Sequence, residues 1–588
     1  MKKKTLVIYY IVLAVAIFLW WYFTLIPINF RDPGFFISFI VISFLLILPF
    51  AGLLALGGFK SKQTKDQTAD DGSEGEVFRE QVGPFGIRYR TRVSRTGPGT
   101  PADQLRRIFQ GLKKGSRLLW IPIILLILFF VLQLTGAKIF RSRDFAKLIN
   151  KEDGDFAKDV YEIEFYDIPT VDRDTAMRLG NKRMGEMAEL VSQFDVAEDY
   201  TQINYKGRPT RVTPLRYVDV FKWFNNRKDG LPKEVMVDLI TGEVTMHTLT
   251  KGMKYSDSDY FFRNISRHLR FKYPTAIMGD ERFEVNDDGT PYWIVPVMKP
   301  KIGWFNGLDV SEVIVCNAIT GETMKVPVED CPTWADRVYP PELIIQQLDW
   351  NGRYQRGFFN SLIGQKGVLR TTQGYNYLAL YDDVYLYTGI TSVASDASNL
   401  GFVLVNLRTK DTKFYPVSSA DEYSAMASAE GAVQEKRYSS TFPILLNVSD
   451  EPTYCMALKD DAQLVKMYAL VNAKNYQVTA TGFSIREALS NYQLKLSGRL
   501  KVDTEDDVGK DEKPITIKGK LTDIQSVVLE GNTYYYLLLE GHSEVLTASI
   551  TVSQQLPFLK PGDELSLVCE GGDVNDNMPR HIISLEKK

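Results

Sequence analysis

The run Val235-Met236-Val237-Asp238-Leu239-Ile240-Thr241-Gly242-Glu243-Val244 returns as Val313-Ile314-Val315-Cys316-Asn317-Ala318-Ile319-Thr320-Gly321-Glu322-Thr323. In both copies a β-branched run meets Asp or Asn, then Thr-Gly-Glu, and the extended pattern resumes. This is tight-turn chemistry: Gly supplies positive φ, and a short polar side chain bonds its own backbone two residues on. Asp238, Thr241 and Gly242, with Asn317, Thr320 and Gly321, are therefore structural turn residues. Between the two turns there is room for one helix and three or four strands. Looser echoes follow at Val403 to Asp411 and Ala469 to Asn475.

A chain of 588 residues exceeds one core, and about 150 residues per domain predicts several units. The balance of 70 Lys+Arg against 72 Asp+Glu argues against a chain built to coat nucleic acid. Four Cys without CxxC or Cys/His spacing indicate neither a zinc site nor a disulfide-dense scaffold. Cys316 and Cys331 flank the strand pair after the second turn; they read either as a disulfide or as two buried thiols. The four His, none paired at i,i+4, supply little for metal or triad chemistry.

Three apolar runs, Thr5 to Ile28, Phe35 to Phe59 and Leu118 to Leu134, read as membrane-crossing helices. Lys2-Lys3-Lys4 before the first and the basic second half of the 60-117 connection place the N-terminus and that connection in the cytoplasm. Three crossings then place everything after them outside. The predicted localisation is a multi-pass plasma-membrane protein with a large extracytoplasmic region. In the connection, Phe85 to Val93 alternates like a strand, and its basic residues read as topogenic charges or as a contact for anionic lipid.

The fold class expected is α+β: three N-terminal transmembrane helices, repeated small helix-plus-antiparallel-sheet units, and a C-terminal barrel. The boundaries are 1-59 for two spans, 60-117 for the loop, 118-140 for the third span, 141-252 and 253-335 for two α+β units, 336-418 for a helical and Tyr-rich connector, 419-500 for a third unit, 501-513 for an acidic linker and 514-588 for the barrel. Helices are predicted over Asp174 to Phe194, Tyr260 to Phe271 and Ala420 to Gln434. A helix followed by a small sheet that closes on Asp238 to Val244, and less completely on Asn317 to Thr323, resembles the PepSY module of bacterial exported and membrane proteins. That resemblance implies a non-catalytic role among envelope partners.

Tyr385 and Tyr387 share one face of a predicted strand and could stack on a partner, although cross-strand tyrosines are ordinary sheet stabilisers. In the C-terminal region, three strands, a short helix and two strands, with Lys560-Pro561-Gly562-Asp563 before the fourth, look like an OB-fold barrel. Tyr534 and Tyr536 could offer a stacking platform. Seven Lys+Arg against ten Asp+Glu from Lys513 to Lys588, a net of -3, makes nucleic acid an improbable ligand.

Phosphate-loop, dinucleotide, nucleophile-elbow and zincin motifs are absent, so no catalytic, cofactor or metal residue is assigned. The acid pairs Asp287-Asp288, Asp382-Asp383 and Asp460-Asp461 fall at predicted turns. The sequence therefore points to a membrane-anchored, non-catalytic scaffold of the bacterial envelope, with the membrane and another envelope or membrane protein as partners. An envelope hydrolase with a cryptic carboxylate pair, or single-strand binding by the barrel, are the alternatives.

Overall fold

In the computed structural model Asp238 Oδ1 accepts the backbone N–H groups of Ile240 (2.8 Å) and Thr241 (2.9 Å), and Gly242 follows at φ 72°. Asn317 Oδ1 accepts Ile319 and Thr320 (both 2.9 Å), with Gly321 at φ 74°. Asn406 repeats the pattern with Arg408 (2.8 Å) and Thr409 (3.0 Å), and the positive-φ position there is Lys410. Asn472 accepts Asn475 N–H at 2.8 Å. The four echoes thus close four units of the same plan. The structure describes residues 3–57, 77–82, 88–93, 120–162, 168–393, 398–500 and 515–587, the last without 530–531, 543, 550–551, 554 and 570–579.

Near the N-terminus lie α1 (Lys3–Thr24) and α2 (Pro33–Gly57), then α3 (Trp120–Thr135) and α4 (Lys138–Ala146). Among the described residues only α1 is by itself long and apolar enough to cross a membrane. Pro49, which cannot donate to the helix ladder, interrupts α2, and its apolar part Pro33–Pro49 falls short of a crossing. α3 and α4 are bent by 46° at their junction, and only as one broken span would they make a second crossing. The three-span anchor is thereby corrected. The multi-pass plasma-membrane topology, the membrane as partner and the membrane-anchored scaffolding role were all counted from three crossings, and they lose that basis. Of the 60-117 connection, the strand pair Val77–Val82 with Arg88–Val93 is described; 94–119 lies outside the described residues.

The first unit begins with α5 (Arg173–Gly185), capped by Asp172, whose carboxylate accepts Thr175 N–H at 3.1 Å. Then come β1 (Phe194–Val196), β2 (Thr201–Tyr205), β3 (Arg208–Tyr217), β4 (Leu231–Asp238) and β5 (Val244–Met253). β1 and β2 pair successive halves of β3, so the sheet has a broken edge followed by a three-strand meander. The second unit follows suit with α6 (Ile265–Lys272), β6 (Ile277–Met278) and β7 (Arg282–Val285) on β8 (Pro291–Ile302), then β9 (Asn306–Asn317) and β10 (Thr323–Pro327).

The stretch read as a connector folds on this plan as well: α7 (Pro341–Tyr354), then β11 (Leu369–Thr371) and β12 (Asn376–Leu380) on β13 (Asp383–Ser392), β14 (Ser398–Asn406) and β15 (Thr412–Tyr415). Two short strands, Glu152–Asp153 and Ser419–Ala420, widen its sheet. The last such unit has α8 (Glu422–Gly431), β16 (Ser439–Ser440) and β17 (Ile444–Val448) on β18 (Glu451–Lys459), β19 (Val465–Asn472) and β20 (Thr479–Gly482), followed by α9 (Ile485–Leu500).

The turns also lock each unit to the chain entering its helix or flanking strand. The carbonyl of Leu239 accepts Thr170 and Val171 N–H, that of Ala318 accepts Lys254 and Tyr255, and that of Leu407 accepts Val338 and Tyr339. Sheets stack face to face. One core lies between the first two sheets, a second fills the gap between Ile294, Val313 and Val315 of the second sheet and Val384, Leu386 and Val403 of the third, and another packs Tyr387 and Phe402 against Tyr454 and Met456. Sheets buried on both faces need apolar residues at successive positions, which is why Val313-Ile314-Val315 and Val403-Leu404-Val405 do not alternate.

This stacking decides the cysteines. Cys316 faces the core shared with the first sheet, whereas Cys331 packs into the core on the other side of the second sheet. Both are buried and free, so the disulfide reading is corrected. In the C-terminal region β21 (Ile515–Leu529), β22 (Asn532–Leu539), β23 (Leu546–Ser549), β24 (Glu564–Cys569) and β25 (Arg580–Lys587) close in the order β21-β22-β23-β25-β24 around Leu537, Leu546, Leu565 and Leu567.

Candidate ligand-binding site

The broken edges of the four sheets converge. β2 of the first unit lies against β7 of the second and β12 and β13 of the third, and β12 meets β17 of the fourth. A cleft of about 680 Å³ opens beside these edges, lined by the first, third and fourth units and by Arg282 of the second. Its lining mixes five cations, Arg173, Arg211, Arg282, Arg337 and Lys459, with four carboxylates, Asp172, Asp174, Asp199 and Glu342, and with tyrosines such as Tyr375 and Tyr377.

Arg211 sits on β3 opposite Gln202 and is 6% exposed; Arg337, just before α7, is 7% exposed. Arg211 Nη1 donates to the Tyr200 carbonyl at 3.3 Å. Arg337 Nη2 donates to Tyr377 Oη at 2.8 Å, and its guanidinium carbon lies 4.1 Å from the centre of that ring. The Nε of each is buried without a partner, as is Thr201 Oγ1 on the same floor. Among the described residues neither guanidinium has a carboxylate within ion-pair distance. Burial lowers the Arg211 pKa to about 10, and the nearby Arg337 charge pushes the same way.

The other cations are already engaged. Lys459 Nζ lies 2.7 Å from Asp172 Oδ2, Arg282 3.1 Å from Asp199 Oδ2, and Arg173 Nη2 donates to the Glu198 carbonyl at 3.1 Å. Burial would raise the Asp172 carboxyl, but hydrogen bonds from Lys459 and Thr175 outweigh it and hold it below its ordinary value.

Behind the floor, two carboxyls from different elements meet in the interior. Glu284 of β7 accepts the backbone N–H groups of Asp336 (2.9 Å) and Arg337 (2.8 Å), and Asp336 Oδ2 accepts Asn204 N–H at 2.6 Å. Burial pushes both carboxyls up; the Glu284 charge adds to this at Asp336, whereas at Glu284 the backbone N–H groups of Asp336 and Arg337 and the Arg337 charge oppose it. They are enclosed and do not line the cleft; the carboxylates that do are Asp172, Asp174, Asp199 and Glu342.

Tyr387 is wholly buried, its hydroxyl bonded to the Pro443 carbonyl, and Tyr385 packs half-buried against the same core. Tyr387 offers no stacking face; Tyr385 lines a separate hollow with Tyr339, Tyr381 and Tyr415, and it is Tyr375 and Tyr377 that reach the cleft. Tyr534 and Tyr536 are half-buried on β22, on the face opposite Tyr535, which packs on the barrel core. They do not meet the cleft. Asp238, Thr241, Gly242, Asn317, Thr320 and Gly321 serve the turns already described. Of the acid pairs, Asp383 is a strand residue, held by Arg408 Nε at 2.6 Å and Asn406 Nδ2 at 2.7 Å. No group of three His, Cys, Asp or Glu among the described residues is placed to hold a metal.

No family model matches this sequence, and no curated protein is similar to it. The PepSY and OB-fold names are therefore withdrawn, and repeat and barrel stand on their own topology. Arg211 and Arg337 escaped sequence reasoning because arginine is ordinarily a surface residue. The one available signal was their setting, Thr210-Arg211-Val212-Thr213 and Asp336-Arg337-Val338-Tyr339, each a charge inside an otherwise strand-like run.

Proposed function

We propose that this chain binds a small anionic ligand in the cleft among its first, third and fourth units, and holds it without converting it. The observation that carries the reading is the pair Arg211 and Arg337: two buried guanidiniums lining one cleft, neither in ion-pair contact with a carboxylate among the described residues, while Asp172 and Asp199 of the same cleft are paired with Lys459 and Arg282. A buried charge left uncompensated is costly, so such a pair is retained where a counter-charge arrives from outside. Tyr377 orients Arg337 through its hydroxyl and its ring face, and planar guanidinium forks suit oxyanions.

Titration calorimetry of the full chain against small anions and their neutral analogues at low ionic strength tests this. Anions are expected to bind with affinity that falls as salt rises, and Arg337→Gln is expected to weaken them about tenfold, the worth of one charge-assisted contact. Equal binding of neutral and anionic analogues would overturn it.

A further inference from the structure

We infer that the hollow walled by Tyr381 and Tyr385 is a second binding site, for a neutral sugar. It lies at one end of the third sheet, between the β12–β13 turn, the β14–β15 turn and the chain from Lys147 to Asp159, and shares no lining residue with the anion cleft. Its volume of about 500 Å³ is that of a small-ligand site. Charge is the first argument. Lys147, Lys410 and Lys413 line it together with Glu152, Asp159 and Asp411, three of each sign. Lys410 is held by Asp309 at 2.7 Å and Lys413 by Asp159 at 3.0 Å, while Asp411 accepts Thr409 Oγ1 at 2.8 Å. With the signs balanced, this lining calls for no ionic partner, in contrast to Arg211 and Arg337.

The placing of Tyr381 is the second argument. Tyr381 and Asp382 form a two-residue turn between β12 and β13, across which Leu380 pairs with Asp383. Tyr381 takes φ 62° at the first position of that turn, where Gly is the residue such a turn ordinarily carries. Its ring is 66% exposed, so burial does not repay the strain. The ring is held all the same: its hydroxyl donates to the Asp159 carbonyl at 2.8 Å, and it packs edge-on against Tyr161 at 5.8 Å between ring centres. Strained, exposed and fixed in one orientation, it is a ready platform, with Tyr385, half-buried on β13, as the second wall. The C–H face of a sugar ring packs on such a surface, while its hydroxyls, each both donor and acceptor, need polar groups at the sides. Exposed Asn150, Glu152 and Asp411 stand there. An apolar ligand would strip those groups of water and return no hydrogen bond.

Saturation-transfer NMR of the full chain tests this, with glucose, galactose, mannose and maltose as neutral sugars and glucosamine, glucuronate and cyclohexanol as controls. Transfer is expected to at least one neutral sugar, strongest at the C–H protons of one ring face, with no gain in affinity when a charge of either sign is added. Tyr381→Gly suits the backbone of the turn, so the melting temperature is expected to hold or rise while affinity for that sugar falls about tenfold, the worth of one aromatic contact. Tyr381→Phe keeps the ring and is expected to keep most of the binding, and neither variant should alter anion binding in the cleft. No transfer to any neutral sugar, tighter binding of a charged sugar, or equal binding of cyclohexanol overturns the assignment on the unaltered chain alone. A folded Tyr381→Gly variant that binds the sugar undiminished overturns it as well.

Discussion

Gly242 and Gly321 occupy equivalent turns but different surroundings, and the difference is measurable. A Cβ on Gly242 would meet only side-chain methyls at 3.6 Å and beyond, while one on Gly321 would fall 2.3 Å from the Tyr255 ring, which is held against His268 at 4.5 Å between ring centres. Gly242→Ala should therefore cost only the left-handed backbone penalty of about 1 kcal/mol, and Gly321→Ala about 3 kcal/mol, read from urea unfolding. Glu234 sets a pH dependence. Burial raises its carboxyl to about 8, and it faces His247 Nδ1 at 2.8 Å. Between the unfolded value near 4.5 and about 8 the folded chain holds a proton that the unfolded chain has released, so stability falls as pH rises through that window and is level outside it. Asp259, raised by burial to about 6, acts in the same direction. Glu234→Gln should remove a fall in stability of on the order of 5 kcal/mol across that window, seen in unfolding midpoints from pH 4 to 9; an unchanged slope would refute the assignment.

At the scale of the element, the turn after the third long segment of each unit has one polar residue with two jobs. In the first three copies its Oδ1 accepts the N–H groups two and three residues on, and Asn472 accepts that of Asn475, but its other atom differs: Asp238 Oδ2 meets Arg208 at 3.0 Å, and Asn406 Nδ2 donates to the buried Asp383. Arg208 is largely exposed, so Asp238→Asn should cost no more than about 1 kcal/mol. Asn406→Asp would set a second carboxylate against Asp383, and about 3 kcal/mol is expected in the same unfolding measurement. Equal costs would mean that the side chain's second contact carries no energy. The alternation of turn and strand was legible because this chemistry is local. The short edge strands were not: pairs of two or three residues such as Ile277–Met278 have no periodicity of their own and exist only because a longer strand offers them partners.

At the scale of the molecule, the first and fourth units are tied across the cleft by Lys459 and Asp172 and by Arg178 Nη1 on the Ala462 carbonyl at 3.1 Å. Lys459 is nearly buried, so Lys459→Met removes a cation from a carboxylate that remains half-covered; a loss of about 3 kcal/mol is expected, with weaker anion binding because the cleft wall loosens. Full stability in that variant would show that the units do not depend on each other there. Composition and hydropathy misled at this scale. Of the apolar runs that suggest three crossings, the second is interrupted at Pro49 and the third meets a 46° bend just past its end, and a count of apolar residues registers neither.

By itself the sequence determined the turns and the recurrence of one module, because each depends on groups within about ten residues of one another and on the fixed stereochemistry of Gly, Asp and Asn. Only the tertiary structure decided that Cys316 and Cys331 face different cores, that the Tyr-rich stretch is a further unit, and that Arg211 and Arg337 share a floor. Those facts follow from how sheets stack and where their broken edges meet, and stacking is settled by the sum of apolar burial over hundreds of residues, a sum that no spacing along the chain displays.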